Sequence, residues 1–312
     1  MTARLRNGNA GPALAASLVL VLSLAACGSS AGKAGPATSA RSVPTATTKR
    51  SVTTTSAATT STMSLVSTTS TAPARPASST PTTGSPPAPT GSLRGKVVAI
   101  DPGHDGGNEN APATVNALVP AGGFEKPCDT TGTETDDGYP EHAFTFDVAT
   151  RLAAILRAQG ATVVMTRSND TGVGPCVNVR AQIGNDAHAD AAVSIHADGG
   201  PTGGRGVQIL EPAGAAGAVQ TIVAPSAVLG ADLRAAFSSG TGTGPSTYLG
   251  QNGIMLRSDL GGLNLSTVPK AFVECGNMRN AQDATLLESP AFRQKAAQAV
   301  ATGLTAFLTA SP

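Results

Sequence analysis

The sequence has no tryptophan, and aromatic residues make up only 3% of its 312 residues. Charge of one sign is also missing, because 21 basic and 20 acidic residues leave a formal net charge of +1. Without a strongly basic surface the chain has no electrostatic footprint for nucleic acid, and we exclude that partner. Beyond the first 26 residues no apolar stretch is long enough to span a bilayer. The composition therefore favours neither a nucleic-acid-binding protein nor a protein with several membrane spans.

The N-terminus has the features of a targeting segment. Arg4 and Arg6 precede an uncharged apolar run over residues 13–26, which is too short for a comfortable membrane span. The run ends in Leu-Ala-Ala-Cys-Gly, which resembles a bacterial lipoprotein signal. The resemblance implies that residues 1–26 are a signal peptide and that Cys27 is lipidated, which anchors the protein to the outer face of the cell membrane. The alternative is an ordinary secretory signal with Cys27 incidental and a periplasmic or secreted product.

Residues 27–92 form a low-complexity segment rich in Ser, Thr, Pro and Ala. Large apolar side chains are almost absent from it, so burial cannot offset the entropy of ordering the chain. We predict a disordered tether, which as a flexible coil would span about 45 Å root-mean-square. The remaining residues, 93–312, have an ordinary globular composition and are numerous enough to bury one sizeable core.

Strand patterns alternate with helical patterns over residues 93–312. The strand patterns cover residues 96–100, 161–166, 191–195, 206–210 and 270–274. The helical patterns begin at residues 140, 179, 227 and 290, and Gly160 ends the first of them. Strands that alternate with helices predict a single α/β domain, in which helices flank a mostly parallel central sheet.

Polar residues follow several of the predicted strands at their carboxyl ends. His104 follows the first strand, His196 follows the third, and Glu274 ends the last. The carboxyl ends of parallel strands meet at one edge of a sheet, where open α/β folds keep their sites. Glu141 lies in the first turn of a helix, three residues before Phe144 and therefore on the same inward face.

Two histidines and one carboxylate are a common donor set for catalytic zinc. The sequence has no H-E-x-x-H helix, so the tertiary fold would have to bring such ligands together. Taken singly, each residue has an ordinary structural explanation: a hydrogen-bonded loop histidine, an acid favoured at a helix N-terminus, or a salt-bridge partner. The residues by themselves therefore leave the metal site open.

Longer segments carry a resemblance to a known family. These segments are residues 98–104 (VAIDPGH), Glu141 with the helix that runs to Gly160, 163–167 (VVMTR), 194–198 (SIHAD) and 268–277 (VPKAFVECGN). In this order they resemble the zinc-dependent N-acetylmuramoyl-L-alanine amidases of the amidase-3 family, over residues 96–308. The chain is most similar to mycobacterial-type secreted amidases, which share the long loop that holds Cys128.

The resemblance implies a hydrolase of the amide bond between N-acetylmuramic acid and L-alanine in peptidoglycan. It implies zinc bound by His104, Glu141 and His196, and it makes Glu274 the catalytic carboxylate. We expect Asp198 and Asn277, which flank the site in sequence, to contact the substrate. The protein is expected to be monomeric, with peptidoglycan and the membrane as its partners.

Several residues rival Glu141 as the third ligand. His142 follows it directly, although its side chain should point about 100° away around the helix. The loop before it holds four further carboxylates, at Glu125, Glu134, Asp136 and Asp137. His188 lies before a strand, and we interpret it as structural or exposed. The long loop over residues 105–139 either shapes the peptide groove or is a variable surface loop, and the sequence leaves both open.

Four cysteines are present, and three remain if Cys27 is lipidated. Cys128 and Cys176 both fall in polar loops beside the predicted site, and we predict a disulfide between them in an oxidising compartment. Cys275 is then a buried free thiol, and it should face away from Glu274 because the two are adjacent in a strand.

Two other functions compete with the amidase. The first is a zinc peptidase that cuts within the stem peptides. The second is a noncatalytic wall-binding lipoprotein on an inactive amidase fold, although the presence of Glu274 with all three ligands argues against it.

Overall fold

A computed structural model of the chain describes residues 91–214 and 217–310. The predicted signal peptide, most of the tether and Cys27 lie outside the described residues. Within the described ranges, no helix is both long enough and apolar enough to cross a membrane.

The described residues form one ordered series of strands and helices. The strands are β1 (Val97–Pro102), β2 (Leu118–Pro120), β3 (Glu125–Pro127), β4 (Thr162–Met165), β5 (Ala191–Asp198), β6 (Gln208–Pro212), β7 (Ile254–Arg257) and β8 (Lys270–Asn277). The α-helices are α1 (Pro112–Val115), α2 (Glu141–Ala158), α3 (Val177–Asp186), α4 (Val223–Thr241), α5 (Gly261–Asn264), α6 (Ala281–Glu288) and α7 (Pro290–Thr309). Two short 3-10 turns cover Asn108–Asn110 and Ala218–Thr221.

Six of these strands form the central sheet, in the order β4-β1-β5-β8-β6-β7. Strands β4, β1, β5 and β8 are mutually parallel, and β6 pairs antiparallel with β8 and parallel with β7. The predicted α/β fold with a mostly parallel sheet is therefore confirmed. The sequence pattern missed β7 and the two-stranded antiparallel hairpin of β2 and β3.

Helix α2 shows how the sequence positions one candidate ligand. Pro140 precedes the helix, and Gly160, with a φ of 91°, follows its end. Phe144, Val148 and Leu152 recur at helical spacing and are fully buried in the main core against the sheet. Because the same face continues to the first residue of the helix, Glu141 is carried into the interior at the carboxyl end of the sheet.

A buried charge cluster lies beneath that edge of the sheet, around Asp101 of β1. Its carboxylate accepts hydrogen bonds from Thr166 Oγ1 at 2.8 Å and Ser194 Oγ at 2.7 Å. Arg180 Nη1 lies 3.0 Å from one carboxylate oxygen, and Lys270 Nζ lies 3.2 Å from the other. Burial alone would raise the pKa of Asp101, but the two cations and the hydrogen bonds hold it well below its usual range.

Asp101→Asn is expected to lower the free energy of unfolding by about 3–5 kcal/mol, because it leaves buried cations without their counter-charge. Since the pKa of Asp101 is depressed in the folded state, its stabilisation is fully present above the unfolded pKa of about 3.9. It is lost progressively as the pH falls from there toward the much lower folded pKa. Denaturant unfolding between pH 7 and pH 3 should therefore show a steeper loss of stability in the wild type than in the variant. Equal stability of the two proteins at pH 7 would contradict the prediction.

Candidate metal centre

Three predicted ligands meet at the carboxyl edge of the sheet. His104 follows β1, Glu141 is the first residue of α2, and His196 lies in β5. Each offers one ligand atom, and these atoms all lie within 4.8 Å of one another. Glu141 Oε2 is 3.2 Å from His104 Nε2, and Glu141 Oε1 is 3.0 Å from His196 Nδ1.

The Glu141 carboxylate is buried and held in place by the backbone. The N–H of Thr133 donates to its Oε2 at 3.0 Å, and the N–H of Ala197 donates to its Oε1 at 3.1 Å. Burial would raise the pKa of Glu141, but the neighbouring charge of His104 and the hydrogen bonds from both histidines lower it well below its usual range. The carboxylate is therefore ionised and fixed between the two imidazoles.

The ring of His104 is oriented through Nδ1, its outer nitrogen, which faces away from Glu141. Its Nδ1 lies 3.0 Å from the carbonyl oxygen of Thr130, which can only accept, so Nδ1 carries a proton and Nε2 faces Glu141. Asp129 Oδ1 lies 3.6 Å from the same nitrogen. Burial would lower the pKa of His104, but the charge of Glu141 raises it to about 10. The negative charge of Glu141 therefore favours a positive charge beside it, at His104 or between the three side chains.

Glycines allow the rings to approach the backbone closely. A side chain on Gly103 would place its Cβ 2.1 Å from Cε1 of His196, so only glycine fits there. Gly132 has a φ of 82°, and a Cβ on it would lie 2.9 Å from the His104 ring. His196 also stacks on Phe272, with ring centroids 5.2 Å apart and planes at 4°.

Glu274 lies beside the three candidate ligands, on the strand next to that of His196. It is in register with His196 across the parallel pair of β5 and β8. Its Oε2 is buried and has no hydrogen-bond partner within the part of the chain that the structure describes. Burial raises the pKa of Glu274 well above its usual range, and the charges of Glu141 and Asp198 raise it further. An unpaired buried carboxylate oxygen is costly, which is typical of a functional group.

A cavity of about 310 Å³ opens over this group. It is lined by the three candidate ligands, by Glu274, and by residues of the preceding loop, among them Thr130, Gly132 and Thr133. A second cavity of about 230 Å³ shares His104, His196 and Phe272 with it and extends to Lys126 and Pro127. The loop over residues 105–139 therefore forms walls of the groove, which favours the first of its two interpretations.

The structure places the rival ligands elsewhere. His142 Nδ1 lies 2.9 Å from Asp170 Oδ2, within an ion-pair group that includes Arg167. His188 is exposed, as are the loop carboxylates Glu125, Glu134, Asp136 and Asp137. Cys275 is a buried free thiol in the main core, on the strand face opposite Glu274, as predicted.

The predicted disulfide between Cys128 and Cys176 is present. It joins the long loop to the start of α3, where the backbone N–H of Val177 also donates to the Cys128 carbonyl at 2.7 Å. The cross-link lies directly before Asp129 and Thr130, the residues that contact the outer nitrogen of His104. It therefore anchors the segment that orients one candidate ligand.

The two predicted substrate contacts differ in their surroundings. Asp198 lines the cavity and accepts a hydrogen bond from the Tyr248 hydroxyl at 2.6 Å. Asn277 is fully buried, and its amide is fully used: Oδ1 accepts from the N–H groups of Gly200 and Arg279, while Nδ2 donates to two carbonyls. The side chain of Asn277 therefore holds the loop after β5 and offers a substrate no unused hydrogen-bonding atom.

Several residues at the site were missed from the sequence. Phe272 could have been found, because it lies two residues before Glu274 and therefore on the same strand face. Arg257 and Tyr248 carried no such signal, since the strand and loop that hold them were not predicted. Asp129 and Thr130 are brought to His104 only by the course of the long loop.

The arrangement fits a metal ion. Donors around one zinc ion lie roughly 3 to 4 Å apart, since each is about 2 Å from the metal. His104 Nε2 lies 3.2 Å from Glu141 Oε2, and His196 Nδ1 lies 3.0 Å from the other oxygen, Oε1. The donor chemistry is two imidazoles and one ionised carboxylate, and the outer nitrogen of His104 has the carbonyl partner that metal-binding histidines usually have. These three residues could therefore hold a divalent cation in the cavity that Glu274 also lines.

Comparison with protein families gives a match over residues 98–306 to the model described as N-acetylmuramoyl-L-alanine amidase. The chain belongs to the N-acetylmuramoyl-L-alanine amidase family. It is 42% identical over 233 residues to an N-acetylmuramoyl-L-alanine amidase of Mycobacterium tuberculosis, a match that covers 74% of this chain and 94% of the relative.

Solved structures of this family agree with the fold. An amidase from Mycobacterium smegmatis matches with a TM-score of 0.66 and 44% identity, over 70% of this chain and 99% of the other. The apo form of an amidase from Mycobacterium abscessus matches with a TM-score of 0.65 and 44% identity, over 69% of this chain and all of the other. The expected resemblance is confirmed, and the chain is a cell-wall amidase by family.

Proposed function

We propose that this amidase hydrolyses the bond between the lactyl carboxyl of N-acetylmuramic acid and L-alanine with a zinc ion held by His104, Glu141 and His196. The observation that carries the proposal is the convergence of two imidazoles and a carboxylate within 4.8 Å, beside a buried carboxylate oxygen of Glu274 that has no partner among the described residues. When bound, zinc would supply Lewis-acid polarisation of the scissile carbonyl and would make water a better nucleophile at neutral pH.

Glu274 carries the protons in this proposal. Its Oε2 takes a proton from the attacking water and returns it to the nitrogen of L-alanine as the amide bond breaks. One carboxylate can do both jobs because it lies beside the ligands, in register with His196, without being one of the three.

Neighbouring residues orient the three candidate ligands. The carbonyl of Thr130 fixes the tautomer of His104, and Phe272 supports the face of the His196 ring. The backbone N–H groups of Thr133 and Ala197 hold Glu141. Preorganisation of this kind matters because small displacements of catalytic groups cost large factors in rate.

The test is digestion of purified peptidoglycan fragments by the zinc-loaded protein, with products identified by mass. Release of an intact peptide that begins with L-alanine, abolished by a chelator and restored by zinc, supports the proposal. Cleavage within the stem peptide would favour the zinc peptidase instead. Undigested fragments after long incubation with the metal-loaded protein would favour a noncatalytic wall-binding lipoprotein.

We propose further that the catalytic domain, residues 93–312, is displayed outside the cell membrane as a monomer on a tether of residues 27–92, lipidated at Cys27. The supporting observations are the lipoprotein-like signal and the composition of the tether. Cys27→Ser is expected to move the protein from the membrane fraction to the soluble fraction, because a diacylated anchor is lost. Fractionation and lipid labelling would measure this, with Ser29→Ala as the control, and an unchanged distribution would contradict the anchor.

A further inference from the structure

Arg257 is the one lysine or arginine among the described residues that line the cavity over the candidate metal centre. The other charged groups along that lining, apart from the histidines, are the carboxylates of Glu141, Asp198 and Glu274. Arg257 is the last residue of β7, at the edge of the sheet, and 27% of its side chain is exposed. The proton-transfer chemistry described above does not use this cation.

The guanidinium of Arg257 is paired on one side with a carboxylate. Its Nε and Nη2 donate to the two carboxylate oxygens of Asp259, each at 2.7 Å. Asp259 is itself tied to the loop over residues 105–139, since its carbonyl accepts a hydrogen bond from Lys126 Nζ at 2.8 Å. No described residue accepts a hydrogen bond from the third nitrogen, Nη1. A guanidinium that is paired with one carboxylate and still has unpaired N–H groups is preorganised to bind a second anion.

The order of strands gives the direction in which this cation lies. Along the sheet, His196 is on β5, Glu274 on the adjacent β8, and Arg257 on β7 beyond β6. Because Glu274 returns the proton to the leaving nitrogen, the leaving peptide lies on the Glu274 side of the ligands. Strand spacing places β7 roughly 10 Å beyond β8, and the arginine side chain covers part of that distance, since it lines the same cavity as Glu274. A second peptide residue extends the leaving group by roughly 3.5 Å along the cavity that Arg257 also lines.

We propose that Arg257 binds the carboxylate of the second residue of the stem peptide and thereby makes the enzyme prefer stems in which that carboxylate is free. In peptidoglycan, L-alanine is followed by a glutamyl residue whose α-carboxyl is either free or amidated. A guanidinium makes charge-assisted paired hydrogen bonds to a carboxylate, and it loses that charge pairing with an amide. The inference rests on the amidase function proposed above and names its specificity on the peptide side.

The matched substrates are N-acetylmuramoyl-L-alanyl-D-glutamate and the same compound with the α-carboxyl amidated, N-acetylmuramoyl-L-alanyl-D-isoglutamine. With the zinc-loaded wild type, we expect kcat/KM to be about tenfold higher for the free acid, mostly through KM. Arg257→Gln should reduce that ratio to near one, chiefly by raising KM for the free acid. Arg257→Lys should retain part of the preference, because lysine keeps the positive charge but cannot make the paired hydrogen bonds of a guanidinium.

Arg279→Gln is the matched control, since Arg279 is exposed, pairs with Asp136 at 3.0 Å and lies outside this cavity. It should leave the ratio unchanged. Equal kcat/KM for both compounds with the wild type would overturn the inference without any variant, and so would a loss of kcat of equal size on both compounds in Arg257→Gln. If the enzyme cleaves neither compound, the proposed amidase function itself is wrong. That outcome differs from equal cleavage of both compounds, which contradicts only the role of Arg257.

Discussion

Glu274→Gln is expected to lower kcat by about 10²–10⁴-fold while the protein still binds one zinc ion per chain. Glutamine has the same shape as glutamate, so the packing around β8 is preserved, but its amide can neither accept the proton of the attacking water nor return it. Both proton transfers in the proposed reaction depend on this one group, which makes the loss large.

The surroundings of Glu274 make this variant informative. Its Oε2 is buried and unpartnered among the described residues, so the substitution breaks no hydrogen bond of that oxygen within them. Burial and the nearby carboxylates raise the pKa of Glu274, so a neutral side chain at this position should fold at least as well. The variant is therefore expected to keep or increase its thermal stability while it loses activity.

The measurements are steady-state turnover of a muramyl peptide, zinc content by elemental analysis, and thermal unfolding. Glu288→Gln is a suitable control, because this residue ends α6 away from the cavity and should retain full activity. Turnover by Glu274→Gln within about tenfold of the wild type would show that another group carries the proton.

His104→Ala is expected to lose both zinc and turnover. Removal of an outer partner of a metal ligand already costs about 10–100-fold in metal affinity, so loss of a ligand itself should cost more. The two imidazoles and the carboxylate lie within 4.8 Å, and removal of one leaves an incomplete donor set beside an ionised, buried Glu141.

His142→Ala is the matched control for that variant. His142 is adjacent in sequence to Glu141, but its Nδ1 pairs with Asp170 at 2.9 Å instead of facing the centre. Elemental analysis after dialysis should find one zinc per chain in His142→Ala and in the wild type, and almost none in His104→Ala. Retention of stoichiometric zinc by His104→Ala would exclude it as a ligand, and loss from His142→Ala would reopen the rival assignment.

The sequence predicted the parallel part of the sheet because each of its central strands is a short apolar run that ends in polar residues. Residues 96–100 and 191–195 correspond to β1 and β5, and residues 270–274 correspond to the start of β8. Helix α2 was predicted for the same reason, since its buried positions recur every three or four residues. The resemblance pointed to His104, Glu141 and His196, and the structure brings one potential ligand atom of each within 4.8 Å of the others.

Tertiary structure alone decided the rest, because these features depend on which segments meet and not on the pattern within any segment. Strand β7 has four residues and no clear alternation, so only its pairing with β6 identifies it and places Arg257 over the cavity. The outer partners of His104 come from a loop 26 residues away, and Lys270 reaches Asp101 across 169 residues of chain. Hydrophobic periodicity shows only whether one face of a segment is buried. The distances that determine the ionisation of Asp101, the tautomer of His104 and the position of Arg257 are fixed only when distant segments pack together.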